Sequence, residues 1–168
     1  CEKKDAASLK IVSVYPDNKE KKLPSTPAQV LLIDPTTGIV LSIMDGTYIT
    51  ALRTGAASGA AFSVLAKAEC KTGALIGTGT QAAMQLEAMI VSKNPKLVKV
   101  YSRNKDRLNN FVKNMSIKFK SKAVELVACE SADAAVKDAD ILITATNSDR
   151  PLFSVESCKP GLTISAVG

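Results

Sequence analysis

Hydrophobic positions follow two rhythms along this chain, and the change comes near Gly73. Before it, Leu9–Tyr15, Gln29–Asp34 and Ile39–Met44 are short β-rich runs separated by turn residues, Pro16-Asp17-Asn18 and Pro35-Thr36-Thr37-Gly38. The second of these turns is a hairpin signal, so the pattern predicts an antiparallel sheet. A helix is expected over Ile49–Ala68, rich in Gly55, Ala56, Ala57, Ser58, Gly59, Ala60 and Ala61. Glycine inside a helix costs about 1 kcal/mol against alanine, so these small residues point to close backbone packing or ligand approach. After Gly73, apolar runs at Ala74–Ile76, Leu97–Tyr101, Val124–Ala128, Ile141–Thr144 and Leu162–Val167 read as strands. Between the first four lie helical segments at Gln81–Val91, Lys105–Lys118 and Ala132–Lys137. Leu108, Phe111, Val112 and Met115 give the middle helix one apolar face, and Ser131 is a candidate N-cap for the last. Strand–helix alternation with short connections predicts a parallel sheet built by right-handed crossovers.

The expected architecture is α/β: a Rossmann-type parallel sheet preceded by part of an antiparallel α+β substrate or dimerisation domain. The expected boundaries are 1–48 for that incomplete domain, 49–70 for a connecting helix and 71–168 for the dinucleotide-binding part. The chain lacks an initiator methionine and stops after an apolar strand, so it is expected to be a fragment, with more chain to come after Gly168.

The junction Ile76-Gly77-Thr78-Gly79-Thr80-Gln81-Ala82 is the place where chemistry is expected. Gly77 allows a tight turn off the strand, and Gly79 lets the backbone come close to phosphate oxygens. Ala82 keeps the helix near the sheet, and free N–H groups at the helix start attract anions. The same string also suits a purely structural strand-to-helix turn; its place between strand and helix favours a nucleotide.

Composition narrows the chemistry. Apolar content of 46% and charged content of 23% are those of a soluble globular protein. No apolar run approaches the roughly 20 residues that cross a bilayer, and no signal peptide is visible, so a cytoplasmic protein without membrane contact is expected. Histidine is absent, which removes Ser-His and Cys-His nucleophile mechanisms and most transition-metal sites. Four scattered cysteines, Cys1, Cys70, Cys129 and Cys158, read as free thiols, and no metal site is expected. The net charge of +6 gathers between Lys93 and Lys122. Stacking aromatics do not interleave with these cations, so a solvated face partly serving an anionic cofactor fits better than nucleic acid.

With these segments placed, the chain resembles the ornithine cyclodeaminase/μ-crystallin family. The resemblance runs from Lys10 to Gly168 and rests on ordered motifs: Lys10–Asn18, Leu32–Gly38, Met44-Asp45-Gly46, Ile49–Ala56 and the Gly77–Ala82 turn. Val100–Arg103, Ala139-Asp140-Ile141, Thr144-Ala145-Thr146, Lys159-Pro160-Gly161 and Ala166-Val167-Gly168 continue the series. The resemblance implies that Lys10 contacts an amino-acid substrate and that Arg53 grips its carboxylate. It implies a cofactor lined by Ser25, Thr54, Gly77, Gly79, Thr80, Gln81, Ser102, Arg103, Thr144, Thr146, Val167 and Gly168. Ser25 stands where the family has threonine. The family's proton-transfer aspartate falls after Gly168, outside this sequence, and an upstream acidic substrate contact is also missing. A homodimer is implied as well.

The residue types agree with those roles. A guanidinium holds a carboxylate in a bidentate grip, and a partly desolvated lysine polarises an imine or carbonyl. Taken alone, Lys10 also reads as a solvated edge-strand lysine and Arg53 as a helix-surface charge. Cofactor choice turns on Tyr101-Ser102-Arg103-Asn104, where NAD-binding folds carry an acid. None stands here before Asp106, so NADP is preferred over NAD, although Arg103 stacked on the adenine or facing solvent is the other reading. Ornithine cyclodeamination is the favoured activity. A ketimine or pyrroline-carboxylate reductase acting on a cyclic imine, an alanine dehydrogenase-like enzyme and a crystallin-like NADPH-binding protein are the alternatives.

Overall fold

The computed structural model describes residues 5–167. Two compact units divide between Arg53 and Thr54.

In the first unit, β1 (Ala7–Val12), β2 (Ala28–Ile33) and β3 (Val40–Asp45) form an antiparallel sheet in chain order. The register sets Leu9 opposite Leu31 and Leu31 opposite Ile43, an apolar row on one face. Lys10, opposite Val30, which in turn faces Met44, belongs to the other face because successive strand residues alternate. β1 ends at Val12, three residues before the expected Tyr15. Ser13 and Tyr15 still donate to the carbonyls of Pro27 and Ser25, but the partner segment holds Pro24 and Pro27, which lack the N–H a ladder needs. The predicted hairpin is present: the Asp34 carboxylate accepts from the Thr36 and Thr37 amides at 2.8 and 2.9 Å. Those backbone donors hold Asp34 below the usual carboxylate range.

Helix α1 (Gly46–Leu65) starts three residues before the expected Ile49. The Asp45 carboxylate accepts from the Thr47 amide at 2.9 Å and so closes the first turn, as helix-capping acids do.

In the second unit, β4 (Thr72–Ile76), β5 (Leu97–Tyr101), β6 (Glu125–Ala128), β7 (Ile141–Thr144) and β8 (Thr163–Ala166) make a five-stranded parallel sheet. Its order is β6-β5-β4-β7-β8, so the first strand of the unit is central and the winding reverses between β4 and β7. Helices α2 (Ala82–Lys93), α3 (Lys105–Lys118) and α4 (Ala132–Val136) make the crossovers. Leu75, Leu86, Met89, Val98, Val100, Ile141 and Ile143 form one core with Phe62 of α1. The opposite face buries Ala74, Ile76, Val136 and Leu142. Small residues of α1 serve packing: a Cβ on Gly55 would stand 2.6 Å from the Met84 carbonyl oxygen, and one on Gly59 3.3 Å from that of Ala88. Ser58 Oγ lies 2.9 Å from Ser165 Oγ of β8.

The N-terminal ends of the strands are clamped by a half-buried acid. Asp140 accepts from the Lys71 and Thr72 amides at 2.8 and 3.0 Å, and Lys159 pairs with its other oxygen at 2.6 Å. Burial pushes the carboxyl up, but the Lys159 hydrogen bond, the two amides and the Lys159 charge outweigh it and hold Asp140 below its ordinary value. A depressed carboxylate stabilises the fold above the unfolded-state value and loses that contribution as pH falls through the folded one. Asp140→Asn is therefore expected to lower stability by about 2 kcal/mol at neutral pH. Denaturant melts should show the gap from wild type closing in acid; a constant gap would contradict the clamp.

Part of the basic stretch is absorbed by the fold. Lys93 Nζ caps the Ala66 and Lys67 carbonyls, Lys99 Nζ reaches the Lys137 carbonyl, and Lys118 pairs with Glu87. Among the described residues no helix is long and apolar enough to cross a membrane, and no cluster of three or more His, Cys, Asp or Glu could hold a metal.

Candidate functional site

The glycine turn lies at the C-terminal end of β4, where the winding reverses toward β7. Open α/β sheets bind ligands in the crevice at such a point, because the loops on either side leave in opposite directions. Gly77 has φ +106°, and a Cβ there would overlap the Ala145 carbonyl and stand 3.1 Å from Thr146 Cγ2. Gly77 N donates to Tyr101 O and Ala145 N to Ile76 O, both at 2.8 Å, so the turn is held against the ends of β5 and β7.

Gly79 is different. No atom lies within 4 Å of where its Cβ would stand, and its own side of the turn is exposed. Between Gly77 and Ala82 the amides of Thr78, Gly79, Thr80 and Gln81 have no acceptor among the described residues. Ala82 is fully buried and its N–H returns to Gly79 O at 3.0 Å, which sets α2 onto the sheet. Free amides, open space and the positive end of a 12-residue helix suit a pyrophosphate. Gln81 Oε1 is buried without a partner, as are both amide atoms of Gln85 one turn further on. Sequence reasoning missed Gln85; polar residues at i and i+4 on an otherwise apolar buried helix face were the available signal.

Of the other expected cofactor residues of the second unit, Thr144, Thr146 and Val167 lie at the strand ends beside this turn. Thr144 ends β7, is buried, and faces Ile76 on one side and Ala166 on the other. Thr146 is half-buried beside Gly77, with Oγ1 accepting from Ser148 N at 3.3 Å. Val167 N donates to Thr144 O at 2.9 Å. Gly168 lies outside the described residues. Ser102 and Arg103 follow β5 and line a pocket of about 100 Å³ with Tyr101, Leu108, Ala128 and Cys129. Asn104, between them and α3, accepts from Arg107 N at 2.8 Å and caps that helix. Thr54 is half-buried in α1.

The first unit holds the rest. Lys10 is exposed on β1, and Arg53 is exposed on α1 with no ion pair among the described residues. Ser25 is half-buried before β2, and its carbonyl accepts from Tyr15 N at 2.8 Å.

The model of the ornithine cyclodeaminase/mu-crystallin family matches residues 1–168. The chain belongs to this family. Among its relatives, a Delta(1)-pyrroline-2-carboxylate reductase of Bacillus cereus is 37% identical over 98% of the chain and 49% of its own length. The solved structure of Thermococcus litoralis Delta(1)-pyrroline-2-carboxylate reductase, in complex with NADH and L-proline, is 41% identical. It superposes with a TM-score of 0.92 over 99% of this chain and 51% of that one. An archaeal alanine dehydrogenase dimer with bound NAD is 35% identical at a TM-score of 0.86, over 95% of this chain and 48% of that one. The chain thus spans about half the length of the relatives it matches.

Proposed function

We propose that this chain carries the nucleotide cradle and the carboxylate grip of an NAD(P)-dependent enzyme acting on the Cα–N bond of a small amino acid or cyclic imine. The observation that carries the reading is the Gly77–Gln81 turn, with free amides and open space at Gly79, set where the sheet reverses its winding. Gly77, Gly79, Thr80 and Gln81 hold the pyrophosphate. Ser102 and Arg103 face the adenosine ribose, and Thr144, Thr146 and Val167 line the way to the nicotinamide; the family resemblance assigns Ser25, Thr54 and Gly168 to the cofactor as well. When bound, a nicotinamide cofactor supplies or takes the hydride at the substrate's Cα. Arg53 fixes the substrate carboxylate through two parallel N–H···O bonds, and Lys10 donates a hydrogen bond or proton to the reacting nitrogen or oxygen.

Reduction of a cyclic imine is the favoured direction, because the Bacillus relative and the Thermococcus structure are both pyrroline-2-carboxylate reductases. The same grip and hydride geometry serve ornithine cyclodeamination, the activity the sequence favours, which further requires loss of ammonia and ring closure. The first unit is the substrate and dimerisation domain. Its row of Leu9, Leu31 and Ile43, continued by exposed Ile11, offers a second copy an apolar sheet face.

Full-length protein is to be assayed with Δ1-pyrroline-2-carboxylate plus NADH or NADPH, and with L-ornithine plus NAD or NADP. The expected result is loss of reduced nicotinamide with the imine, from a species of twice the chain mass by light scattering. Ammonia and proline from ornithine would instead assign the cyclodeaminase. Tight cofactor binding without turnover on either substrate would leave a crystallin-like binding protein.

A further inference from the structure

The pocket beyond β5 contains a charge arrangement that the glycine turn and the Ser102-Arg103 pair do not explain. Its charged lining groups are Arg103, Lys105 and Glu130. Lys105 opens α3, and Glu130 lies two residues beyond the end of β6. The two meet across the pocket with Lys105 Nζ 3.1 Å from Glu130 Oε2. Arg103 has no ion pair among the described residues. One of the two cations that would draw a phosphate is therefore already matched by a carboxylate, and that carboxylate itself repels a phosphate.

Neighbouring groups do not alter this balance. Asn104 uses its side-chain oxygen to cap α3, Ser102 and Asn109 are uncharged, and Cys129 is a half-buried thiol that burial pushes up from its ordinary value. Nothing else that lines the pocket competes with Glu130 for Lys105.

We infer that Glu130 is a cofactor-specificity residue: by holding Lys105 it lowers the pocket's preference for a ribose 2′-phosphate and keeps the 2′-hydroxyl form acceptable. The inference rests on the nucleotide reading above and goes beyond it by naming what sets the choice between the two cofactors. A carboxylate at the end of the second strand normally makes that choice by accepting from the ribose hydroxyls. Here β5 ends in Tyr101 with Ser102 after it, and a carboxylate from the loop beyond β6 acts on the pocket indirectly, through the lysine.

The test is an equilibrium titration of the full-length protein with NADH and NADPH, followed by nicotinamide fluorescence, in wild type, Glu130→Gln, Lys105→Gln, the double variant and Ser102→Asp. Glu130→Gln should tighten NADPH about fivefold and leave NADH within about twofold, the range expected from an exposed pair. The gain should shrink in high salt and be largely lost in the Lys105→Gln background. Both positions are exposed, so melting temperatures should match wild type within a degree or so. An unchanged NADPH/NADH ratio in Glu130→Gln, while Ser102→Asp shifts the ratio toward NADH, would overturn the role of Glu130 and leave the nucleotide pocket standing. Equal tightening of both cofactors would also overturn it, since that marks general attraction of the pyrophosphate. Failure of the wild type to bind either nucleotide would overturn the nucleotide reading itself, and this inference with it.

Discussion

Arg53→Ala is expected to lower kcat/KM for the amino-acid or imine substrate about 100-fold, because it removes both charge-assisted hydrogen bonds of the proposed grip on the substrate carboxylate. The loss should fall mainly on KM if the carboxylate is held equally in ground and transition states, and on kcat as well if the grip also aims Cα. Arg53→Lys should recover only part of the loss, since an ammonium keeps the charge but not the planar fork. The protein itself should scarcely notice. Arg53 is exposed on α1 without an ion pair among the described residues, so melting temperature and NAD(P)H affinity should remain near wild type. A parallel fall in cofactor affinity would show that Arg53 supports the fold or the nucleotide and not the substrate.

Gly77→Ala is expected to damage stability and cofactor binding together. At φ +106° an L-residue is strained, and its Cβ would run into backbone atoms of Ala145, which cannot swing aside as a side chain could. Strain and overlap together should cost roughly 2–4 kcal/mol. In a thermal melt that is a fall of roughly 5–10 °C. Gly79→Ala makes the useful contrast. Its Cβ meets no protein atom within 4 Å, so the melt should stay near wild type while NAD(P)H binding weakens, because on the proposed reading the added methyl takes space that phosphate oxygens would occupy. If Gly79→Ala binds cofactor as well as wild type, that side of the turn does not approach the pyrophosphate. Equal melting losses in both variants would show instead that the whole turn is structural.

Much of the fold was legible because each element announces itself locally. Leu97–Tyr101, Lys105–Lys118 and Ile141–Thr144 fall on the expected residues, since period, capping residue and flanking turn agree there. Two boundary errors sit at ends that depend on a partner strand or a capping side chain. β1 stops short beside two prolines, and α1 begins early on the Asp45 carboxylate. The turn of the candidate site was legible because a backbone requirement dictates the residue type at Gly77. The site was not legible where two distant residues must meet. Lys105 and Glu130 are 25 positions apart, and nothing in either neighbourhood announces the pair. Lys159 and Asp140 stood out as separate motifs, and only folding makes them one clamp.

By itself the sequence determined the strand–helix alternation, the glycine turn and a series of motifs that resembles the family's. Those are properties of neighbours along the chain, set by periodicity and by which residues tolerate a given φ. Tertiary structure alone decided that β4 lies at the centre of its sheet, beside both β5 and β7, and that Gly79 opens onto space while Gly77 is wedged against Ala145. It also decided which charges are matched. Such outcomes depend on non-local distances, which hydrophobic packing sets and no local pattern encodes.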